Sequence, residues 1–179
     1  MSRRRAEEVD TSLLATQGAA LERRFPLTDF ERLRELLAED EGEGDAERMV
    51  SARFAFSSEE GRAVALVEID ALLPVVCQRC LRTIEWPVAT RSRLAFVDAA
   101  DAGATETDDR DNFATRAGHV ALHAIVEEEL LLALPLVATH ADLADCGALA
   151  SGKLTPDVPD AAGEAQRPFA GLRELLDRK

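Results

Sequence analysis

The sequence predicts an α+β fold: an antiparallel sheet or meander over about 47–97, covered by two amphipathic helices near 28–38 and 120–134, with an extended C-terminal tail. Three observations predict it. Apolar residues alternate through 49–97 in runs broken by turn residues, the period of half-buried strands. Two flanking segments carry their apolar residues at helical spacing instead. With seven Phe, one Trp and no Tyr in 179 residues, the core falls to Leu, Val and Ala, and strand and helix faces must bury each other.

Taken in order, residues 1–24 are polar and mixed in charge and read as a flexible N-terminal segment, a tail or a loosely held helix. A core domain then spans 25–147. Thr28 and Glu31 have the spacing of a capping box, and Phe30, Leu33, Leu36 and Leu37 follow on one helical face. The acidic run 39–47, with two glycines, reads as a solvated loop. The first strand, Met49 to Phe56, points Val50, Ala52, Phe54 and Phe56 inward. After the turn at Ser58–Gly61, a strand from Arg62 to Leu73 has Val64, Leu66 and Ile69 as its inward residues. A third, Thr83 to Val97, carries Ile84, Trp86, Val88, Leu94 and Phe96, with Pro87 marking an edge or bulge. Residues 98–118 are acid-rich and read as a loop or insertion, and Pro135 stops the second helix. Residues 148–179 are a linker ending in a short docking helix, whose Phe169, Leu172, Leu175 and Leu176 need an apolar partner.

Charge narrows the function. The chain carries 21 basic and 34 acidic residues, a net charge of −13, so its surface as a whole repels phosphate backbones. A local basic patch remains compatible with that balance. No run of 18 apolar residues offers a membrane span, and the basic start Met1–Arg5 runs into acids without an apolar signal core, so a cytoplasmic protein is expected. Three cysteines make a disulfide framework a poor fit, which brings metal and redox readings forward.

Cys77-Gln78-Arg79-Cys80 follows a strand, and two thiolates at this spacing on a turn can reach one metal ion. His140 and Cys146, beyond the second helix, complete a Cys₃His set of the kind that holds structural zinc. Inert thiols at a strand end are the competing reading. Redox chemistry is a third, disfavoured because a thioredoxin-type motif opens a helix. Around the same turn lie Arg79, Arg82, Arg91 and Arg93 with Trp86, residues able to hold a phosphate backbone and stack a base. The alternative is that these arginines neutralise the protein's own acids. In the second helix Leu122, Ile125, Val126, Leu130, Leu132 and Ala133 share a face with Glu129 near its centre, so this carboxylate must pair, hydrogen-bond or meet a partner; an arginine is the expected mate. His119 and His123, four residues apart, are expected as an exposed pair. No phosphate loop, dinucleotide fingerprint, nucleophile elbow or HExxH occurs, so neither catalysis nor a small-molecule substrate is expected.

Val76–Val88, containing the CxxC, resembles the central cysteine motif of the YceD family, the large ribosomal RNA subunit accumulation proteins. Ala124–Val137, followed by His140 and Cys146, resembles that family's acidic–aliphatic helix ending in Leu-Pro, and Pro168-Phe169 before a Leu-rich basic end is also similar. The resemblance spans roughly residues 25–179. It implies a bacterial cytoplasmic factor for synthesis, processing or stability of large-subunit ribosomal RNA. Many relatives have a longer Cys-rich segment after the helix, where this chain has only His140 and Cys146. Two partners follow as expectations: ribosomal RNA held by the arginine patch, or a basic ribosomal protein of the large subunit escorted by acidic surfaces.

Overall fold

The computed structural model describes residues 8–38, 48–100 and 111–151. The fold is α+β, built on a five-stranded, mostly antiparallel sheet. The expected acidic loop at 39–47 and the C-terminal docking helix lie outside the described residues, as does most of the linker before it.

The chain opens with β1 (Glu8–Asp10), α1 (Thr11–Gln17) and β2 (Ala20–Pro26). Most of the segment read as a tail is therefore structured. Its signals are local: the Asp10 carboxylate caps α1 by accepting from the Leu13 amide at 2.9 Å, and Gly18 ends the helix in the left-handed region at φ 59°. A single turn of 3₁₀ helix, Leu27–Asp29, leads into α2 (Glu31–Arg34). Strands β3 (Met49–Glu59), β4 (Arg62–Val76) and β5 (Thr83–Asp98) form the body of the sheet. After them come β6 (Asp111–Thr115), β7 (His119–Ala121), α3 (Leu122–Ala133) and a kinked 3₁₀ segment, Leu143–Ser151.

The main sheet runs β2-β3-β4-β5-β6, and β1 pairs with β7 in a separate two-stranded ladder. Pairing is antiparallel except that β6 lies parallel to β5. Part of the acid-rich stretch expected as a loop is thus an edge strand. On the inner face, Val50, Ala52, Phe54 and Phe56 of β3 meet Ala65, Val67 and Ile69 of β4 and Leu94 and Phe96 of β5. Leu122, Ile125, Val126 and Leu130 of α3 belong to the same core. Leu66 was expected inside with Ile69, yet three residues along a strand cannot share a face. It is half-buried on the outer face, between Ala55 and Arg93, whereas Val64 is buried on that side against Ala95.

β4 and β5 outrun the rest of the sheet. Pairing with β3 ends at Asp70 and pairing with β6 begins at Leu94, so Ala71–Val76 and Thr83–Val88 form a two-stranded arm. Pro74 and Pro87 both sit in this arm, where a missing ladder donor costs nothing on the unpaired side. The Ala38 amide donates to the Pro74 carbonyl at 2.9 Å, and Arg48 grips Glu85 with two bonds of 2.7 and 2.8 Å.

The capping box does not form. Thr28 lies within the 3₁₀ turn, and α2 has no side-chain cap of its own. Its first amides are met from α3 instead: Glu127 Oε1 accepts from the Arg32 amide at 2.9 Å and the Leu33 amide at 3.4 Å. Arg32 also pairs with Glu128 at 2.9 Å. The helix is accordingly a single turn, with Phe30 and Leu33 fully buried and Leu36 62% exposed. In α3, Leu132 lies two turns beyond Ile125 on the same line of the helix but is 76% exposed, because no described residue covers that end.

A tertiary cap makes a differential prediction. Glu127→Ala should lower stability by about 1 kcal/mol, the usual cost of an emptied cap, whereas Thr28→Ala should stay within about 0.5 kcal/mol. Urea unfolding of the two variants beside the parent measures the difference.

Candidate metal centre

The arm ends in a tight turn. The Cys77 amide donates to the Arg82 carbonyl at 2.9 Å and the Leu81 amide to the Cys77 carbonyl at 2.8 Å, which turns Cys77 and Cys80 toward one point. The turn holds Leu81 at φ 61°, a conformation that L-residues seldom adopt.

The other two candidates arrive from the far side of α3. Leu134, preceding Pro135, is extended at ψ 134°, as the proline ring demands, and the chain leaves the helix there. The Gln78 amide then donates to the Ala138 carbonyl at 2.8 Å, drawing the outgoing segment alongside the turn. Asp142 starts the next turn by accepting from the Ala144 amide at 2.8 Å. That turn delivers Cys146 six residues after His140, and Gly147 bends the chain away at φ 65°, ψ −137°, a region open essentially to glycine alone. Asp142 and Gly147 were absent from the residues singled out in the sequence, although an Asp and a Gly bracketing a cysteine are a readable turn signal.

Cys77, Cys80, His140 and Cys146 place one ligand atom each within 4.8 Å of all the others. The three thiols are buried and His140 half-buried. Cys77 Sγ lies 4.0 Å from Cys146 Sγ, and His140 Nδ1 lies 3.5 Å from both Cys80 Sγ and Cys146 Sγ. A tetrahedral ion with metal–sulfur bonds of about 2.3 Å and metal–nitrogen bonds of about 2.05 Å separates its ligands by about 3.8 Å for S···S and about 3.6 Å for S···N. These three separations lie close to those values, and the donors could hold a metal ion.

The electrostatics point the same way. Burial pushes the Cys77 thiol up, but the backbone amides of Cys80, Arg79 and His140 and the His140 side chain outweigh it and bring the group down to about 5. Cys146 is pushed up, first by burial, then by hydrogen bonding and charge from Cys80 and Cys77. The thiolate is favoured at Cys77 and penalised at Cys146, an imbalance that a bound dication would remove. Three thiolates and a neutral imidazole around a dication would sum to −1, and Arg79 Nη1, 3.7 Å from Cys146 Sγ, would be placed to balance that charge.

The other expected site residues fall in separate places. Arg79 and half-buried Trp86 line a groove of about 770 Å³ beside the cluster, together with Thr83, Glu85, Thr139 and His140. Arg82 donates to the Asp145 carbonyl, tying the cysteine turn to the return segment. Arg91 and Arg93 are not contiguous with these, because the eight steps from Thr83 to Arg91 carry the strand about 26 Å. They lie on the outer face, where Arg91 meets Glu68 at 3.4 Å and Arg93 pairs with Glu59. Buried Glu129 accepts from the Ser92 hydroxyl of β5; the mate is a serine rather than the expected arginine. His119 is exposed and His123 half-buried, and neither belongs to the cluster.

A family model described as Large ribosomal RNA subunit accumulation protein YceD matches residues 66–176, which contain all four cluster residues. No curated protein and no solved structure is matched by the chain.

Elemental analysis of purified protein should find about one equivalent of a divalent ion, and Cys77→Ser or Cys146→Ser should remove most of it. Release should follow acidification, since protons compete with the ion for the same thiolates; titration in the presence of a chromogenic chelator reads this directly.

Proposed function

The chain belongs to the YceD family of large ribosomal RNA subunit accumulation proteins, and on that premise we propose that it is a non-catalytic ribosome-biogenesis factor of the cytoplasm. It supports synthesis, processing or stability of large-subunit ribosomal RNA. Its cysteine turn is held by zinc, and the rim of that turn contacts RNA. Thiolate-rich tetrahedral coordination favours zinc over harder cations, and four protein ligands leave no open position for catalysis.

The observation that carries this reading is the groove beside the cluster. A guanidinium, Arg79, and an aromatic edge, Trp86, lie there together in a chain whose net charge is −13. The acid in the groove, Glu85, is already held by Arg48. Arg79 and Arg82 would take phosphate, Trp86 would stack an unpaired base, and Arg91 and Arg93 would be a second contact farther along β5. Among the described residues no helix is long and apolar enough to cross a membrane.

One observation favours a second reading, in which the protein escorts a basic ribosomal protein of the large subunit without touching RNA. Arg91 and Arg93 are engaged by Glu68 and Glu59, which leaves part of the arginine set internally neutralised. Complementary charge would then draw a basic partner to the remaining acidic surface.

RNA binding measured across a range of salt concentrations separates the two. Arg79→Glu should weaken binding of large-subunit ribosomal RNA and lower the salt slope by about one unit per lost phosphate contact, with metal content unchanged. Arg91→Glu/Arg93→Glu tests the second contact in the same assay. If both variants bind like the parent, RNA does not use these surfaces, and a basic protein that survives nuclease treatment in a pull-down would identify the escort role. In cells lacking the gene, large-subunit ribosomal RNA should fall relative to small-subunit RNA. The parent should restore it and Cys77→Ser should not.

A further inference from the structure

The outer face of the sheet carries three successive cross-strand rows, and each reverses its own character about the line between β3 and β4. The central row is Glu22, Arg53, Glu68 and Arg91, one residue from each of β2 to β5, so its signs run minus, plus, minus, plus. On one side of it lies the row Ala20, Ala55, Leu66 and Arg93, two small residues followed by two large ones. On the other side lies Arg24, Ser51, Asp70 and Ala89, with its large end on β2 and its small end on β5. All of these residues are exposed except Leu66 and Glu68, which are half-buried. A hollow of about 360 Å³, lined in part by Ala20, Ala55, Leu66 and Glu68, opens on this face. Beyond Ser51 and Asp70 the face continues to Met49 and Leu72, 37% and 49% exposed.

A row that inverts its sign or its size on reversal is complementary to a reversed copy of itself. We propose that this face is the contact of a homodimer, in which a two-fold axis running along the strands between β3 and β4 lays one outer face on the other. Such an axis sets β2 over β5 of the second copy and β3 over its β4. Glu22 then faces Arg91 of the second copy and Arg53 faces its Glu68, each contact made twice by symmetry. Within each chain Arg53 keeps Glu22 at 2.6 Å and Arg91 keeps Glu68 at 3.4 Å, so every charge has an opposite one beside it and another above it. Leu66 and the apolar stem of Arg93 of one copy enter the hollow over Ala55 and Ala20 of the other. Asp70 meets the Ser51 hydroxyl, and Met49 meets Leu72. Sheets related in this way keep their strands roughly aligned, as sheets packed face to face commonly do. Four strands about 4.8 Å apart and four rows about 6.7 Å apart give a contact of about 500 Å² per copy, about 1,000 Å² in all, the size of a weak and reversible dimer. Arg79 and the cysteine cluster lie at the tip of the arm, beyond these rows, so the dimer does not use that surface. Arg91 and Arg93 reach RNA only from the monomer.

The test is sedimentation equilibrium of the full chain, without RNA, from a few micromolar to a few hundred micromolar. The parent should pass from monomer to dimer with a Kd in the micromolar range, and added salt should weaken the dimer because its charges stay partly solvated. Arg53→Glu places two like-charge contacts in every dimer, and so does Glu68→Arg. Each variant alone should dimerise about 100-fold more weakly than the parent. An equimolar mixture of the two variants should form a heterodimer about as tight as the parent dimer, because all four contacts of the central row then join opposite charges. A parent that stays monomeric throughout overturns the proposal. Single variants that dimerise like the parent, or a mixture that does not associate, overturn it as well. Because no RNA is present and Arg79 is untouched, each of these failures leaves the proposed ribosomal role standing.

Discussion

Unbroken pairing of β4 with β5, from Val64 opposite Ala95 to Val76 opposite Thr83, is the constraint on which the other features depend. A slip of one residue by β5 against β4 would exchange the two faces of β5. Leu94 and Phe96 would leave the core, and Arg91 and Arg93 would be driven into it. The same register sets where the hairpin closes. Cys77 and Cys80 sit at its tip because the pairing stops at Val76 and Thr83, beyond the reach of β3 and β6.

A two-stranded arm carrying two prolines is a weak structure by itself. It is held by contacts distant in sequence: the Ala38 amide on Pro74, the Arg48 fork on Glu85, and the return segment on Gln78. The Cys₃His cluster is the last of these contacts and brings the arm beside the chain beyond α3. That helix organises the other side of the molecule with two glutamates in opposite roles. Glu129, buried, meets Ser92 of β5, and Glu127 reaches outward to cap α2. Packing α3 on the sheet thus seats α2 and aims the His140–Cys146 segment at the turn.

Charge is distributed to match. The outer sheet face pairs its charges across strands, Arg53 with Glu22 at 2.6 Å and Arg91 with Glu68 at 3.4 Å. Exposed pairs of this kind contribute little stability, about 0–1 kcal/mol each. Their consequence is to leave that face without a strong field, so the guanidinium groups near the cysteine turn stand out against an acidic background. Arg79 both approaches the sulfur of Cys146 and lines the groove.

The α+β class, the three central strands, the inward Val50–Phe56 series and the apolar line of α3 were legible in the sequence, because period and turn residues are local properties. So were the cap and stop of α1, Asp10 and Gly18, which a polar composition concealed. The four candidate ligands could be named from their chemistry and the spacing within each pair, whereas their approach to within 4.8 Å depends on β4–β5 register and on where α3 releases the chain. The same limit explains the departures. Thr28 lost its capping role to Glu127, Glu129 met Ser92 instead of an arginine, and the arginines separated along β5. Residue type and spacing by themselves determined which groups need a partner. Which partner each one meets was decided by the tertiary structure, because hydrogen bonds and metal–ligand bonds act over about 2–3 Å and the chain between these groups is tens of residues long.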